Sequence, residues 1–247
     1  KPLSYCFALE ALGEKKLHKY VGKEPSGKEF NDISFGKSGL PHNPMINMGA
    51  IVILSMLKSI SSTNSSNQEI FAKWNKLLDE HDFSYDKNVY LSEKTTANRN
   101  YALAYFLQER NALYGKHNIE KLLNLYFRTC SITTDTRIHA RLAAILANAG
   151  TSPFNNKIIF SKNTTQDCLS LMFSCGLYDY SGEFAFNVGL PAKSGVSGAI
   201  ILVIPNVMGI AIFSPRLDQF GNSVRGVEFC KQISKKFGLN IFNNFWR

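Results

Sequence analysis

The chain is expected to adopt an α+β fold, with an antiparallel sheet flanked by helices and an inserted all-helical lobe, on three observations. Apolar residues recur at helical spacing through the middle of the chain, from about residue 47 to 148. Two short apolar runs follow, AIILVIP and GIAIFSP, joined around Asn206-Val207-Met208-Gly209, the pattern of an antiparallel hairpin. A last amphipathic stretch, SVRGVEFCKQISKKF, returns to helix over 223–237.

Taken in order, the N-terminal stretch KPLSYCFALEALGEKKLHKY mixes apolar and charged residues and has no secretory-signal pattern. Helical spacing then marks Asn47 to Ile60, Glu69 to His81, Arg99 to Gln108, Ile119 to Phe127 and Ile138 to Ala149, the last stopped by Gly150. Between the first two lies SISSTNSSNQ, Ser59 to Gln68, whose polar composition reads as a surface loop within a domain. Glu183 to Gly189, EFAFNVG, alternates and reads as a strand. In the last helix Val224, Val227, Cys230 or Phe229, Ile233 and Phe237 form the inner side, and Lys235 and Lys236 complement the C-terminal end of the dipole. No repeat is present, and the 247 residues read as one catalytic domain with the helical lobe inside it.

Composition narrows the function. Lys and Arg number 28 against 19 Asp and Glu, a net charge of +9, but the cations are scattered and no nucleic-acid-binding signature appears, so small anions are the better partners. No apolar run reaches the roughly 18 residues of a membrane span. The five cysteines, Cys6, Cys130, Cys168, Cys175 and Cys230, are odd in number and form no CxxC pair. This argues against a disulfide framework and a metal site, and for buried thiols in a reducing compartment.

Lys193-Ser194-Gly195 opens the first hairpin run. A Lys-Ser-Gly at a strand start is one signature of active-serine acyl-transfer enzymes, although a polar strand cap can spell the same tripeptide. Its usual companion is Ser-x-x-Lys. Ser34 to Lys37 lies in a glycine-rich loop and Ser55 to Lys58 near a helix end, and neither holds a base rigidly against a serine. His42, in PHNPM, reads as a turn residue with no partner carboxylate or cysteine nearby in sequence.

Five longer segments carry more information: GKEPSGKEFN (22–31), LPHNPMINMGAI (40–51), SEKTTANRN (92–100), LYFRTCSI (125–132) and LMFSCGLYDYSGEFAFNVGLPAKSGVSGAI (171–200). Together they resemble the glutaminase family, in its animal mitochondrial, phosphate-activated branch, from the first residue to about Phe237. The resemblance implies a serine β-lactamase-like (transpeptidase-like) fold and hydrolysis of L-glutamine to glutamate and ammonia through a seryl acyl-enzyme, with no metal or organic cofactor. It implies inorganic phosphate as activator, self-association to a dimer or tetramer, and a mitochondrial location.

Residue by residue, the family's nucleophile and lysine lie in a segment like Ser-x-x-Lys-Pro-Leu, and this sequence opens Lys1-Pro2-Leu3. Lys1 thus matches the catalytic lysine, and the serine is implied three residues upstream, which would leave the chain as given inactive. Tyr178 matches the tyrosine that relays protons with that lysine, and Val196 the position whose backbone N–H helps to form the oxyanion hole. Glu93 matches the residue that binds the substrate ammonium, and Asn47, Asn100 and Tyr126 match the remaining substrate contacts. Read without the resemblance, Asn47 is a helix N-cap, Glu93 a solvated charge and Tyr126 a core aromatic. The segment Glu24 to Pro41, with Phe30, matches a mobile loop beside the active site, and Ser34 stands where a second phenylalanine is expected.

Two other readings compete. The implied absence of the serine suggests a catalytically inactive, self-assembling module. Lys-Ser-Gly alone suggests a penicillin-interacting enzyme, against which Glu93, Asn100 and Tyr126 stand.

Overall fold

A computed structural model of the chain describes residues 1–61, 66–78 and 83–246. It divides into two compact units. The first holds Lys1, Leu3–Lys23 and Asn31–Thr134; the second holds Pro2, Glu24–Phe30 and Asp135–Arg247.

The first unit is helical: α1 (Pro2–Leu12), α2 (Glu14–Leu17), α3 (Asn47–Ser59), α4 (Ser66–Asn75), α5 (Lys87–Thr95), α6 (Asn98–Glu109) and α7 (Ile119–Cys130). Helix α3 is buried on all sides from Asn47 to Leu57, and α4, α6 and α7 pack on it. Gly49 explains how α3 sits so close to the loop before it: a Cβ there would fall 1.9 Å from the carbonyl oxygen of Asn43. Side-chain caps set the starts of α5 and α7. Asp86 accepts the N–H groups of Asn88 and Val89 at 2.7 and 3.0 Å ahead of α5, and Asn118 accepts that of Lys121 at 2.9 Å ahead of α7.

The second unit holds α8 (Thr136–Ala147), α9 (Lys162–Cys175), a 3-10 turn over Tyr178–Tyr180, α10 (Ser181–Asn187), β1 (Ala192–Ser194), β2 (Ala199–Ile204), β3 (Met208–Phe213), α11 (Val224–Phe237) and a 3-10 turn over Ile241–Trp246. The sheet is antiparallel in the order β1-β2-β3, with Ser194 opposite Ile200 and Ile201 opposite Ala211. Asn206 makes the hairpin turn with φ 61°, the left-handed region that Asn tolerates. The core under the sheet is built from Leu177, Phe184, Val188, Leu190, Ala192, Ile200, Leu202, Ile204, Val227 and Cys230, each large aliphatic contributing about 1.5–3 kcal/mol by leaving water.

Several expectations change on contact with the structure. Glu183 to Gly189 is not a strand but largely helix α10. In a strand Phe184 and Phe186 would share a face, whereas two helical positions lie about 200° apart; Phe184 is 2% exposed and Phe186 86%. The helical stretch expected over 47–148 divides, since α8 packs on β3 and β2 in the second unit. Gly209 permits this contact, because a Cβ there would lie 2.3 Å from the backbone nitrogen of Ala144. Helix α4 begins at Ser66, inside the polar stretch read as loop, and residues 62–65 of that stretch lie outside the described residues, as do 79–81 at the end of the helix expected over 69–81. The hairpin and the helix over 224–237 lie where expected, the latter capped by Ser223 and ended by Gly238 at φ 61°, but Val224 and Phe237, expected on its inner side, are exposed, and Val227 and Cys230 are the buried ones. Among the described residues no helix is long and apolar enough to cross a membrane.

Candidate active site

In the first unit, five helices bring together residues far apart in sequence. Lys1 stands at the N-cap of α1, where Pro2 suits the first turn. Its Nζ donates to Asn47 Oδ1 at 2.9 Å, and Asn47 Nδ2 donates to Asn100 Oδ1 on α6 at 3.1 Å. Asn47 is therefore not the N-cap of α3; Ile46 holds that position and Asn47 is the first helical residue, its amide spent on Lys1 and Asn100. Glu93, half-buried on α5, and Cys130, at the end of α7, both act electrostatically on Lys1. Tyr126, buried on α7 one turn before Cys130, hydrogen-bonds its thiol.

Desolvation sets the charge states here. Removal from water lowers the Lys1 pKa from 10.5, with Cys130 and Glu93 opposing the shift. Desolvation also raises the Cys130 thiol, with Lys1 pulling the other way. Cys130, expected among the buried thiols, is exposed as a residue although its thiol is withdrawn from water; Cys6, Cys168, Cys175 and Cys230 are buried as expected. A lysine whose ammonium is destabilised yields a free amine at lower pH, and a free amine beside a carboxylate and amides can take a proton and orient a zwitterion.

In the second unit, Tyr178 is the centre. It has φ 56°, unusual for a bulky residue and a feature that concentrates at functional sites. Its hydroxyl donates to the carbonyl of Ser194 at 3.3 Å, Lys193 Nζ lies 4.3 Å from its ring centroid, and Phe30 packs on it at 5.1 Å between centroids. Lys193 is buried and donates to the same Ser194 carbonyl at 2.6 Å. Beyond β1 the chain turns through Gly195, Val196, Ser197 and Gly198. Val196 is 53% exposed, and its N–H makes no hydrogen bond among the described residues. An unpartnered N–H at a strand mouth is a donor available to a developing oxyanion.

The serines of the two internal Ser-x-x-Lys matches are otherwise engaged. Ser55 is buried, donates to Val52 O at 2.7 Å and accepts the Tyr114 N–H at 3.0 Å. Ser34 donates to Asp32 and lies 3.3 Å from His42 Nε2. No group of three His, Cys, Asp or Glu among the described residues is arranged to hold a metal.

The family model for glutaminase matches residues 1–242. The chain belongs to the glutaminase family. It is 47% identical over 244 residues to putative glutaminase 3 of Caenorhabditis elegans, covering 99% of this chain and 42% of that protein. It is 42% identical over 244 residues to the mitochondrial liver isoform of glutaminase of Mus musculus, covering 99% of this chain and 40% of that protein. The chain thus spans about two fifths of the length of these glutaminases. The solved structure of a probable glutaminase of Bacillus subtilis superposes with a TM-score of 0.91 at 33% identity, over 98% of this chain and 80% of that one. The mixed architecture of helices and a small antiparallel sheet is therefore that of a glutaminase.

Proposed function

We propose that the protein hydrolyses the side-chain amide of L-glutamine through a seryl acyl-enzyme on a serine β-lactamase-like scaffold. The observation that carries this reading is Lys1, desolvated, hydrogen-bonded to Asn47 and flanked by Glu93. The nucleophile is the serine that the family resemblance puts three residues before Lys1.

In the first step the serine hydroxyl loses its proton to the Lys1 amine and its oxygen bonds to the amide carbon. The Val196 N–H supports the oxyanion; one such donor contributes about 2.7–4 kcal/mol to the transition state. Tyr178 relays a proton to the departing nitrogen as the C–N bond breaks, and ammonia leaves. Water then adds to the glutamyl ester, the C–O bond to serine breaks, and glutamate is released with the serine reprotonated. Glu93 holds the substrate ammonium, and Asn47, Asn100 and Tyr126 orient the remaining polar groups. The chemistry needs no metal or organic cofactor; phosphate acts as activator and the working assembly is a dimer or tetramer.

Ammonia and glutamate release from L-glutamine, measured with and without phosphate on a chain extended upstream to carry the Ser-x-x-Lys segment, tests this. Turnover that is lost in Lys1→Ala supports it; turnover that survives Lys1→Ala, or no turnover in the extended chain, contradicts it. A mitochondrial location, supported by the mouse relative's name, is tested by fractionating cells that make the full protein, and recovery outside mitochondria contradicts it.

A further inference from the structure

Asn222 sits in the loop between β3 and α11 and has no part in the chemistry above, yet it is fully buried. Its Oδ1 accepts the Ser194 hydroxyl at 2.6 Å, and its Nδ2 donates to the carbonyl of Leu177 at 3.3 Å. Leu177 precedes Tyr178, and Ser194 offers the carbonyl that receives the Tyr178 hydroxyl. One carboxamide therefore grips the backbone entering Tyr178 and the residue that receives its phenol, closing a ring from Leu177 through Asn222 and Ser194 to Tyr178.

That ring has something to hold. A tyrosine at φ 56° persists only where its surroundings over-determine it. The loop that supplies Asn222 is itself fixed, since Asp218 Oδ1 accepts the N–H groups of Phe220 and Asn222, both at 2.9 Å, and the Asp218 N–H donates to Asn222 O at 2.8 Å. Gly221, at φ 87°, brings the loop backbone alongside the Tyr178 ring: a Cβ there would lie 3.7 Å from Tyr178 Cε2 and 3.6 Å from Val196 Cγ1. Only a side chain with both a donor and an acceptor satisfies Leu177 O and Ser194 Oγ together. Aspartate would set a carboxylate oxygen against the Leu177 carbonyl, and leucine would remove both side-chain bonds, leaving Leu177 O with the Tyr180 N–H at 3.1 Å and the Ser194 hydroxyl with only the long 3.5 Å contact to Gly176 O.

We propose that Asn222 is a positioning residue for Tyr178, acting through Leu177 and Ser194. This rests on the reading of Tyr178 as the proton relay. Two readouts separate the claims: glutamine turnover by the extended chain, and the 19F resonance of 3-fluorotyrosine placed at position 178, which reports the phenol whether or not the protein turns over. In folded Asn222→Ala we expect kcat to fall by about 10- to 100-fold, with KM changed by less than about threefold, because misplacing a reacting group by about 1 Å has effects of this size. The 19F line should broaden or split. Asn222→Asp, which keeps only the Ser194 side of the grip, should change both readouts in the same direction by less. If Asn222→Ala fails to fold, Ser194→Ala, which removes only the hydroxyl, takes its place with the same expectations. An unchanged line together with kcat within about twofold of the parent overturns the proposal. An extended parent with no turnover overturns the glutamine reading instead, and the 19F comparison then decides the role of Asn222.

Discussion

A lysine ammonium withdrawn from water loses hydration, which is why the Lys1 pKa falls below 10.5 while Cys130 and Glu93 pull it back up. The proton-accepting form is the neutral amine, so turnover should rise with pH through the lowered Lys1 pKa. Glu93→Gln removes one of the two opposing influences; the rising limb of the pH–kcat profile should then move to lower pH, and KM for glutamine should increase. A limb that moves to higher pH contradicts the electrostatic assignment. At Val196 the backbone is the working part. Val196→Ala should change kcat/KM by less than about threefold, since the side chain is half exposed, whereas Val196→Pro, which deletes the N–H, should lower kcat by about 100- to 1,000-fold.

At the scale of elements, the positions that fix α3 are steric. Gly49→Ala would drive a methyl into the Asn43 carbonyl, and overpacking of this kind costs about 1–3 kcal/mol or more; a thermal melt of the variant should show a Tm lower by several degrees, and an unchanged Tm would mean that the loop gives way. The elements legible in sequence are those with one wet face or a firm cap: α7 with Asn118 ahead of it, and α11 between Ser223 and Gly238. Those that escaped lack such a contrast. Helix α1 is buried at nearly every position from Pro2 to Leu9, so no polar stripe marks it, and α5 has no buried residue at all. Helix α10 is only seven residues long, and its two phenylalanines mimic strand alternation.

For the whole molecule, Lys193-Ser194-Gly195 was a short local signal, but the residues around Lys1 were named only through likeness to a family, because no single one of them carries such a signal. Asn47, Asn100, Glu93 and Tyr126 lie on four helices, and nothing in the sequence around any one of them pairs it with Lys1. Family motifs supplied those names; the structure adds the hydrogen bonds from Lys1 through Asn47 to Asn100. Asn222 escaped both, since DQFGNS reads as an ordinary polar turn and its two partners lie 28 and 45 residues away. Self-assembly belongs to this scale as well. Light scattering on the extended protein should give a dimer or tetramer, with phosphate raising both the assembled fraction and the activity, and a monomer of full activity would contradict the assembly proposal.

The proposed reaction passes through a glutamyl ester on a serine three residues ahead of Lys1, which intact-mass spectrometry of the extended chain, acid-quenched during turnover of L-glutamine, would capture. A single glutamyl adduct is expected, mapped to that serine by peptide sequencing and lost when the serine is replaced by alanine. An adduct on Ser34, Ser55 or Ser194, or steady glutamate release with that serine replaced, would contradict it.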